Sequence, residues 1–309
     1  MKIISSEDRY KFASKNAIAL GNFDGLHIAH KKLILNTVKL AKENNLKSLV
    51  YIFDIHPVSL INTTPPRLII DFEQKLEIIR NLGVDYIFLQ KFDIPFSMMK
   101  PEDFLINILK VKLSCAYAIC GFDYKFGYKA KGDVNLLKDI CEKNNICVEI
   151  LDRMDYLDEP VSASRIRNLL SKGDIQNVNN LLGRKYQIRG VVIKGRSIGS
   201  KLGFPTANII INEDMQIPAF GVYQTVTIVD GTSYKSITNI GSNPTISDNT
   251  IFKVTCETHI IDISDINLYN KKIYINFIRM IRKEKKFESL EMLRNAISND
   301  VLLVKSYDE

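Results

Sequence analysis

The sequence lacks the long apolar runs that mark membrane and exported proteins. None of its 309 residues lies in a run approaching the ~20 apolar residues of a membrane-spanning helix. Residues 1–8, with the sequence MKIISSED, contain no apolar core of signal-peptide length. We therefore expect a cytoplasmic protein without a membrane partner.

Cysteine is scarce and its spacing carries no metal-binding or disulfide pattern. The chain has five cysteines and no C-x-x-C pair; they stand at Cys115, Cys120, Cys141, Cys147 and Cys256. An odd, scattered set in a chain without an export signal favours reduced, buried thiols. We expect neither a disulfide framework nor a cysteine metal site.

Nucleic-acid motifs are also missing, although the chain is basic. The net charge is +7 and the isoelectric point about 9.0, a balance that nucleic-acid-binding proteins share with phosphate-handling enzymes. The densest basic run, residues 271–286, alternates with apolar side chains at Ile273, Ile275 and Phe277. That alternation predicts a half-buried strand. Because no RNP-like aromatic motif, zinc-finger spacing or low-complexity tail accompanies it, we expect no nucleic-acid partner.

The length predicts about two domains, and the first half alternates strands with helices. Apolar runs predict strands over residues 17–20, 48–53, 84–89, 117–120 and 146–150. Helical spacing of apolar residues predicts helices over residues 31–41, 71–82, 101–109 and 134–144. Such alternation predicts an α/β domain with a parallel sheet covered by helices on both faces.

The second half has a different pattern of short apolar runs separated by turns. The runs cover residues 187–194, 207–211, 221–229, 234–240, 253–258 and 272–278. Closely spaced short strands predict an antiparallel barrel, and residues 287–297 predict one terminal helix. We place the domain boundary near residues 183–187, giving domains 1–184 and 185–309.

The most informative segment is residues 21–30, with the sequence GNFDGLHIAH. It joins a predicted strand to a predicted helix, where backbone N–H groups at the helix N-terminus suit a phosphate. His27 and His30 are three residues apart and share one helical face. The segment predicts a phosphate site, with these additional binding residues: Gly21, Asn22, Phe23, Asp24 and Gly25. The alternative is a simple turn.

Three further segments follow predicted strands or open a helix. Residues 54–57 read DIHP. Residues 121–127, GFDYKFG, offer a carboxylate at Asp123 and aromatic rings, including Phe126, for a flat heteroaromatic ligand. Residues 162–167, SASRIR, place Ser162, Ser164 and Arg167 at a helix start, a second predicted anion site. A loop with buried aromatics and an N-capped surface helix are the plain alternatives.

In the second half, residues 199–208 read GSKLGFPTAN. The oxygens of Thr206 and Asn208 suit Mg²⁺, and Glu257 on another predicted strand could accept a hydroxyl proton. The preceding glycines nearly match a Walker A loop. We discard that interpretation because residues 191–193 are strand-like and no helix follows.

Together these motifs resemble the bacterial bifunctional riboflavin kinase/FAD synthetase family along the whole chain. FDGLHIAH, DIHP, GFDYKFG and SASRIR resemble its adenylyltransferase half; LGFPTAN and Glu257-Thr258-His259 resemble its kinase half. The kinase half also matches at Gly203, Pro205, Asn239 and Pro244-Thr245. The resemblance implies a Rossmann-like nucleotidyltransferase domain followed by a small antiparallel β-barrel riboflavin kinase domain with a C-terminal helix.

The resemblance also implies two reactions. In the first half, FMN phosphate would attack the α-phosphorus of ATP to give FAD, with His27 and His30 at the ATP phosphates. Arg167, Ser162 and Ser164 would bind the triphosphate. Asp123 would bind or orient the substrates, directly or through Mg²⁺. In the second half, Glu257 would act as base while riboflavin takes the γ-phosphate of ATP, with Mg²⁺ on Thr206 and Asn208. The implied partners are small molecules only (riboflavin, FMN and ATP), and we expect a monomer or weak oligomer.

Four residues depart from the family pattern: Ala29, Ala163, Ile198 and Ser200. Ile198 and Ser200 stand where the family often has basic residues, and Arg196 and Lys201 would compensate for them. An FAD synthetase with a flavin-binding but inactive barrel is therefore the nearest alternative. A flavin-sensing nucleic-acid-binding protein and a nucleotidyltransferase for another phosphate substrate are more distant ones.

Overall fold

The computed structural model describes residues 1–61, 65–195, 198–243, 253–263 and 267–307. The chain divides into two compact units, Met1–Ala163 and Ser164–Glu309. The domain boundary at residues 184/185 remains a prediction. In the described ranges, every helix is too short or too polar to serve as a membrane span.

The first unit alternates strands and helices. Its strands are β1 (Lys2–Ser5), β2 (Asn16–Leu20), β3 (Lys47–Phe53), β4 (Tyr86–Gln90), β5 (Cys115–Gly121), β6 (Cys147–Leu151), β7 (Asp155–Tyr156) and β8 (Glu159–Pro160). Its helices are α1 (Ile28–Glu43), α2 (Pro57–Ile61), α3 (Phe72–Asn81), α4 (Ile94–Ser97), α5 (Pro101–Asp103) and α6 (Val134–Lys143), with a π-helix over Phe104–Lys112 and a 3₁₀ turn over Tyr128–Ala130.

Six strands form one parallel sheet in the order β1-β4-β3-β2-β5-β6. All five residues of the central strand β2 are buried. The chain leaves β2 toward β3 on one side and leaves β5 toward β6 on the other, so the strand order reverses between β2 and β5. Ligands of such sheets bind at the carboxyl ends of the strands beside this reversal. The parallel α/β prediction is confirmed.

The helix predicted over residues 101–109 differs in type. Pro101 opens it as expected, but after Asp103 the hydrogen-bonding pattern widens into the π-helix. That segment buries Phe104, Leu105 and Leu109 in the core beside the sheet. Apolar spacing predicts a helix with a buried face, and it does not distinguish an α-helix from a π-helix packed by its neighbours.

The second unit begins within α7 (Ala163–Lys172) and continues with α8 (Ile175–Leu182). Its strands are β9 (Tyr186–Ile193), β10 (Ala207–Ile210), β11 (Gly221–Val229), β12 (Thr232–Asn243), β13 (Lys253–Ile260) and β14 (Lys272–Lys283); its other helices are α9 (Ile198–Lys201) and α10 (Leu290–Ser306). The strands close into an antiparallel barrel in the order β10-β13-β12-β11-β14-β9. The barrel and its C-terminal helix are confirmed.

The barrel has two different faces. Its interior holds five buried, mutually hydrogen-bonded hydroxyl groups, those of Thr225, Thr227, Ser236, Thr238 and Thr258. On its outer face, α10 packs Val304 against Val222 and Ile237. Because side chains alternate along a strand, residues that share a face with Val222 and Ile237 point toward α10.

The sequence analysis did not anticipate helix α8. Its asparagines and flanking glycines suggest an interruption, yet Asp174 caps its start and Gly183, in the left-handed region, ends it. The buried Asn179 side chain accepts a hydrogen bond from the Tyr186 N–H (2.6 Å) and donates one to the Phe277 carbonyl (2.9 Å). The helix is therefore held by tertiary contacts with the barrel, which local propensity does not reveal.

Two candidate active sites

The first candidate site is the strand-to-helix connection of residues 21–30, which we call the phosphate turn. It leaves β2 after Leu20 and enters α1 at Ile28. Three of its residues adopt positive φ: Phe23 (49°), Gly25 (71°) and Leu26 (43°). A Cβ atom on Gly25 would lie 3.0 Å from the Ile69 side chain, so glycine is required there by both conformation and space.

His27 caps the N-terminus of α1. The His30 backbone N–H donates to Nδ1 of His27 over 3.3 Å, so Nδ1 is unprotonated. The neutral ring then carries its proton on Nε2. The two imidazole rings stack with centroids 3.6 Å apart. His27 can therefore offer an N–H donor, beside the positive end of the α1 dipole, to an anion.

His30 is held uncharged by its surroundings. Burial lowers its pKa well below the ordinary 6.5, and the neighbouring His27 and Lys75 lower it further, while a hydrogen bond with the Asp24 backbone opposes them. Its Nδ1 is inaccessible to solvent and has no hydrogen-bond partner within the described residues. At neutral pH His30 can exchange hydrogen bonds with a ligand, but it supplies no positive charge.

Two of the predicted binding residues support the turn with their side chains. Asp24 is buried, and its carboxylate accepts a hydrogen bond from the Ile69 N–H (3.3 Å). The buried Phe23 ring meets His30 edge-on at 5.3 Å. A Cβ on Gly21 would stand 3.2 Å from that ring, so Gly21 makes room for it. Asn22 is exposed. The ligand contacts predicted for these residues remain predictions.

Residues 121–127 follow β5, the strand beside β2. Asp123 is exposed, and its carboxylate folds back to within 3.2 Å of the position of a Cβ on Gly121. Phe126, predicted to contact the ligand, is buried against Phe104 at 5.7 Å. Phe122, with 47% of its surface exposed, is the aromatic ring that solvent reaches. The sequence could not distinguish these two rings.

The other two predicted segments of the first half differ from each other. In the DIHP segment, the Asp54 carboxylate accepts hydrogen bonds from the backbone N–H groups of Ile55 and Phe92, both 2.9 Å, so it organises a loop. Ser162 ends the first unit with Ala163, whereas Ser164 and Arg167 lie on α7 in the second unit. The anion-binding role of all three residues remains a prediction.

The second candidate site is a row of side chains across the barrel. Glu257 on β13 is paired with Asn208 on β10 and with Asn239 on β12. The row continues from Asn239 to Val222 and from Val222 to Arg282. Directly paired residues of neighbouring strands present their side chains on the same face. Strand register thus brings together residues that are up to 74 positions apart in the sequence, counting from Asn208 to Arg282.

Four of the five residues in this row line a cavity of about 320 Å³. Glu257, Asn239, Val222 and Arg282 line it from the barrel, as does Thr206, and its far wall is formed by Leu293, Ile297 and Asp300 of α10. The lining also includes His259, Glu284 and Lys285, so the cavity combines several charged and polar groups with apolar side chains. Cavities of this size and composition are typical of small-molecule sites.

An ion pair closes one end of the cavity. Nε of Arg282 donates to Asp300 over 3.0 to 3.1 Å, and Nη2 lies 2.9 Å from Oδ2 of the same carboxylate. Asp300 is buried, and the guanidinium also lies 5.5 Å from the Phe287 ring. The fork-like pairing fixes the guanidinium orientation and ties α10 to β14.

Thr206 lies between this cavity and a second one of about 240 Å³, which is also lined by Ser200, Pro205 and Tyr269. Nδ1 of His259 is 2.8 Å from the Pro205 carbonyl, so this nitrogen carries the proton and holds the segment in place. Gly203, with a φ of +89°, precedes the segment that contains Pro205 and Thr206. Thr206 is thus a shared lining residue of the two cavities.

Thr206 and Asn208 carry the oxygen donors that Mg²⁺ prefers. In the described ranges, no group of three or more His, Cys, Asp or Glu residues is arranged to hold a metal ion. A Mg²⁺ ion here would depend on threonine and asparagine oxygens together with phosphate oxygens. Arg196 and the residues 244–245 lie outside the described residues, as does the side chain of Ile198.

The structure adds three residues that the sequence analysis did not assign to a site. Lys75 reaches the phosphate turn from α3, with its Nζ 3.4 Å from the Asn22 carbonyl. Arg282 and Asp300 form the ion pair at the cavity. Lys75 is one of 42 lysines and arginines, and no local pattern singles it out. Asp300 occupies a position on the buried face of helix α10. A single carboxylate among apolar residues of a helix is only a weak indication that it forms an ion pair with a residue of another element.

Comparison with known proteins identifies a family for each half of the chain. The FAD synthetase family model matches residues 10–165, and the riboflavin kinase family model matches residues 182–307. A bifunctional riboflavin kinase/FMN adenylyltransferase of Buchnera aphidicola subsp. Schizaphis graminum is 34% identical over 96% of this chain and 95% of its own. A Bacillus subtilis protein of the same name is 32% identical over 93% of this chain and 90% of its own.

A crystal structure of a Streptococcus pneumoniae protein named macrolide-efflux protein matches 99% of both chains with a TM-score of 0.90 and 24% identity. This likeness concerns the fold alone. The family models cover most of the chain, and the relatives above exceed 30% identity over nearly its whole length. The chain therefore belongs to the bifunctional riboflavin kinase/FMN adenylyltransferase family, with an FAD synthetase domain followed by a riboflavin kinase domain.

Proposed function

We propose that this protein makes FMN from riboflavin in its second unit and FAD from FMN in its first. The observation that carries the proposal is the presence, in one chain of this family, of two separately built sites. The phosphate turn presents imidazole and helix N-terminal donors, and the barrel presents a carboxylate in a cavity. Each site matches the chemistry of one of the two reactions.

In the first unit, a phosphate oxygen of FMN attacks the α-phosphorus of ATP. A new P–O bond forms, the bond from the α-phosphorus to the bridging oxygen breaks, and pyrophosphate leaves. The attacking oxygen is already anionic, so no strong base is needed. Catalysis rests on alignment and on stabilisation of charge. His27, with its proton on Nε2 at the N-terminus of α1, and the uncharged His30 are the groups we assign to the phosphates.

In the second unit, the ribityl 5′-hydroxyl of riboflavin attacks the γ-phosphorus of ATP and ADP leaves. Glu257 accepts the hydroxyl proton as general base. Because Glu257 lines the larger cavity, riboflavin occupies that cavity, and Asn239 beside Glu257 orients it. Thr206 borders both cavities, so we assign the adenosine part of ATP to the smaller one and the transferred phosphate to the neighbourhood of Thr206.

Thr206 and Asn208 would hold a Mg²⁺ ion. When bound, this ion neutralises charge on the transferring phosphate. Asn208 is paired with Glu257 across β10 and β13, so the predicted metal ligand and the predicted base are neighbours. Gly203 and Pro205 shape the approach to Thr206, a role supported by the His259 contact with the Pro205 carbonyl.

The remaining assignments follow from the family resemblance. Asp123 would orient FMN or ATP, and Ser162, Ser164 and Arg167 would bind the triphosphate. The partners are riboflavin, FMN and ATP, without nucleic acid or membrane. We propose a cytoplasmic monomer or weak oligomer.

The test is chromatography of reactions containing the purified protein, ATP, Mg²⁺ and either riboflavin or FMN. We expect FMN and FAD from riboflavin, and FAD from FMN. If FAD forms from FMN but riboflavin gives no product, the protein is instead an FAD synthetase whose barrel is inactive. No product from either flavin would overturn it.

A further inference from the structure

Lys75 extends from α3 into the phosphate turn, which lies some fifty residues earlier in the chain. Asp71 caps α3 and forms a capping box with Gln74, which fixes the first turn of the helix. Lys75 follows directly. Its ammonium group donates to the Asn22 carbonyl over 3.4 Å. The side chain is partly buried rather than extended into solvent. A rigid helix start therefore positions a lysine at the turn.

The ammonium group shares its surroundings with Asp24 and His30. Burial lowers the pKa of Lys75, and the Asp24 carboxylate opposes that effect. The charge of Lys75 in turn lowers the pKa of His30. These three groups therefore lie close enough to influence one another's charge, although they come from different elements.

A buried carboxylate is an obstacle to an incoming polyphosphate. Asp24 is almost completely buried and accepts a hydrogen bond from the Ile69 N–H, so its carboxyl group has a fixed place in the turn. His30 is uncharged near neutral pH and supplies no positive charge beside it. The Asp24 carboxylate offsets part of the Lys75 charge, whereas the 3.4 Å hydrogen bond of Lys75 to the neutral Asn22 carbonyl is long. A phosphate oxygen near the turn would be a stronger partner for Lys75 than the carbonyl is.

We propose that Lys75 binds phosphate oxygens of ATP at the turn and supplies the positive charge that allows a triphosphate to bind beside Asp24. The proposal rests on the proposed adenylyltransferase function. Lys75 would be the third phosphate-binding group at the turn, beside His27 and His30.

The test compares Lys75→Gln and Lys75→Arg with Lys39→Met. Lys39 lies on α1, exposed and paired with Glu43, so its substitution removes one charge away from the turn. The measurements are the KM for ATP in FAD formation from FMN and the affinity for inorganic pyrophosphate by calorimetry. The riboflavin kinase activity of the same preparation and the midpoint of thermal unfolding report on folding.

We expect Lys75→Gln to weaken both ATP and pyrophosphate by roughly 10- to 100-fold, the scale of one hydrogen bond to a charged group. Lys75→Arg restores most of the loss, and Lys39→Met behaves as the wild type. Wild-type binding of pyrophosphate by Lys75→Gln overturns the inference. Equal losses in Lys75→Gln and Lys75→Arg also overturn it, since charge would then be irrelevant. If the wild type makes no FAD from FMN, the proposed function fails instead.

Discussion

The two candidate sites are built in opposite ways. The phosphate turn is a continuous stretch of ten residues between a buried strand and a helix, and its shape depends on positive φ values within that stretch. The barrel site is assembled by strand register from Asn208, Asn239, Glu257 and Arg282, with α10 as a wall. The first site is a local structure; the second exists only once the barrel has closed.

This difference predicts how each site responds to change. A substitution in the turn should affect adenylylation and leave phosphorylation intact, because the turn belongs to one unit and Glu257 to the other. A substitution in the row of barrel residues around Glu257 should affect phosphorylation and leave adenylylation intact. The four predictions below test this separation, beginning with the largest expected effect.

Glu257→Gln should nearly abolish FMN formation from riboflavin. The amide cannot accept the hydroxyl proton, and loss of a general base costs about 10²- to 10⁴-fold in rate. Chromatography with riboflavin as substrate measures the loss, and FAD formation from FMN in the same preparation should be unchanged. Glu213→Gln, at an exposed loop position, is the matched control. Substantial phosphorylation by Glu257→Gln would remove Glu257 from the base role.

His27→Ala should slow FAD formation from FMN by about 10²-fold or more, the usual cost of removing one donor to the reacting charge. The substitution also removes the N-cap of α1, so the midpoint of thermal unfolding should fall as well. Phosphorylation of riboflavin should stay at the wild-type rate. An equal loss in both reactions would show that the two sites are not separate.

Stability should fall as the pH drops below 6.5, because burial holds the pKa of His30 down in the folded state. The unfolded chain binds a proton near pH 6.5, whereas the folded chain does not until its lower pKa is reached. The contribution of His30 to the free energy of unfolding is therefore complete above pH 6.5. It decreases at lower pH, by up to about 1.4 kcal/mol per pH unit. His30→Gln should flatten the dependence of the unfolding midpoint on pH between 7.5 and 5.5. An unchanged slope would contradict this assignment.

The smallest expected effect is the difference in stability between Gly25→Ala and Gly203→Ala. Both glycines have positive φ, but only Gly25 has a neighbour, Ile69, at 3.0 Å from a Cβ. Left-handed strain costs of order 1 kcal/mol; at Gly25 the contact adds to it, so Gly25→Ala should lower the unfolding midpoint more. Each variant should mainly affect the reaction of its own unit. A larger loss of stability in Gly203→Ala would show that space at Gly25 is not limiting.

The same contrast explains what the sequence could predict. The parallel sheet, the barrel and the strand-to-helix connection at residues 21–30 depend on periodicity and on contiguous residues, and these predictions agree with the structure. Lys75 and the pair of Arg282 with Asp300 depend on tertiary placement. The sequence also could not tell that Phe126 is buried while Phe122 is exposed. Helix α8 was missed because buried Asn179 contacts, rather than local propensity, hold it.

The most direct test of two separate sites mixes the Glu257→Gln and His27→Ala proteins with riboflavin, ATP and Mg²⁺ and measures FAD. We expect little FAD from either protein alone. The mixture should produce FAD readily, because His27→Ala makes FMN and Glu257→Gln converts it. A mixture that makes no more FAD than the separate proteins, although each keeps its own half-reaction, would contradict two sites that work independently.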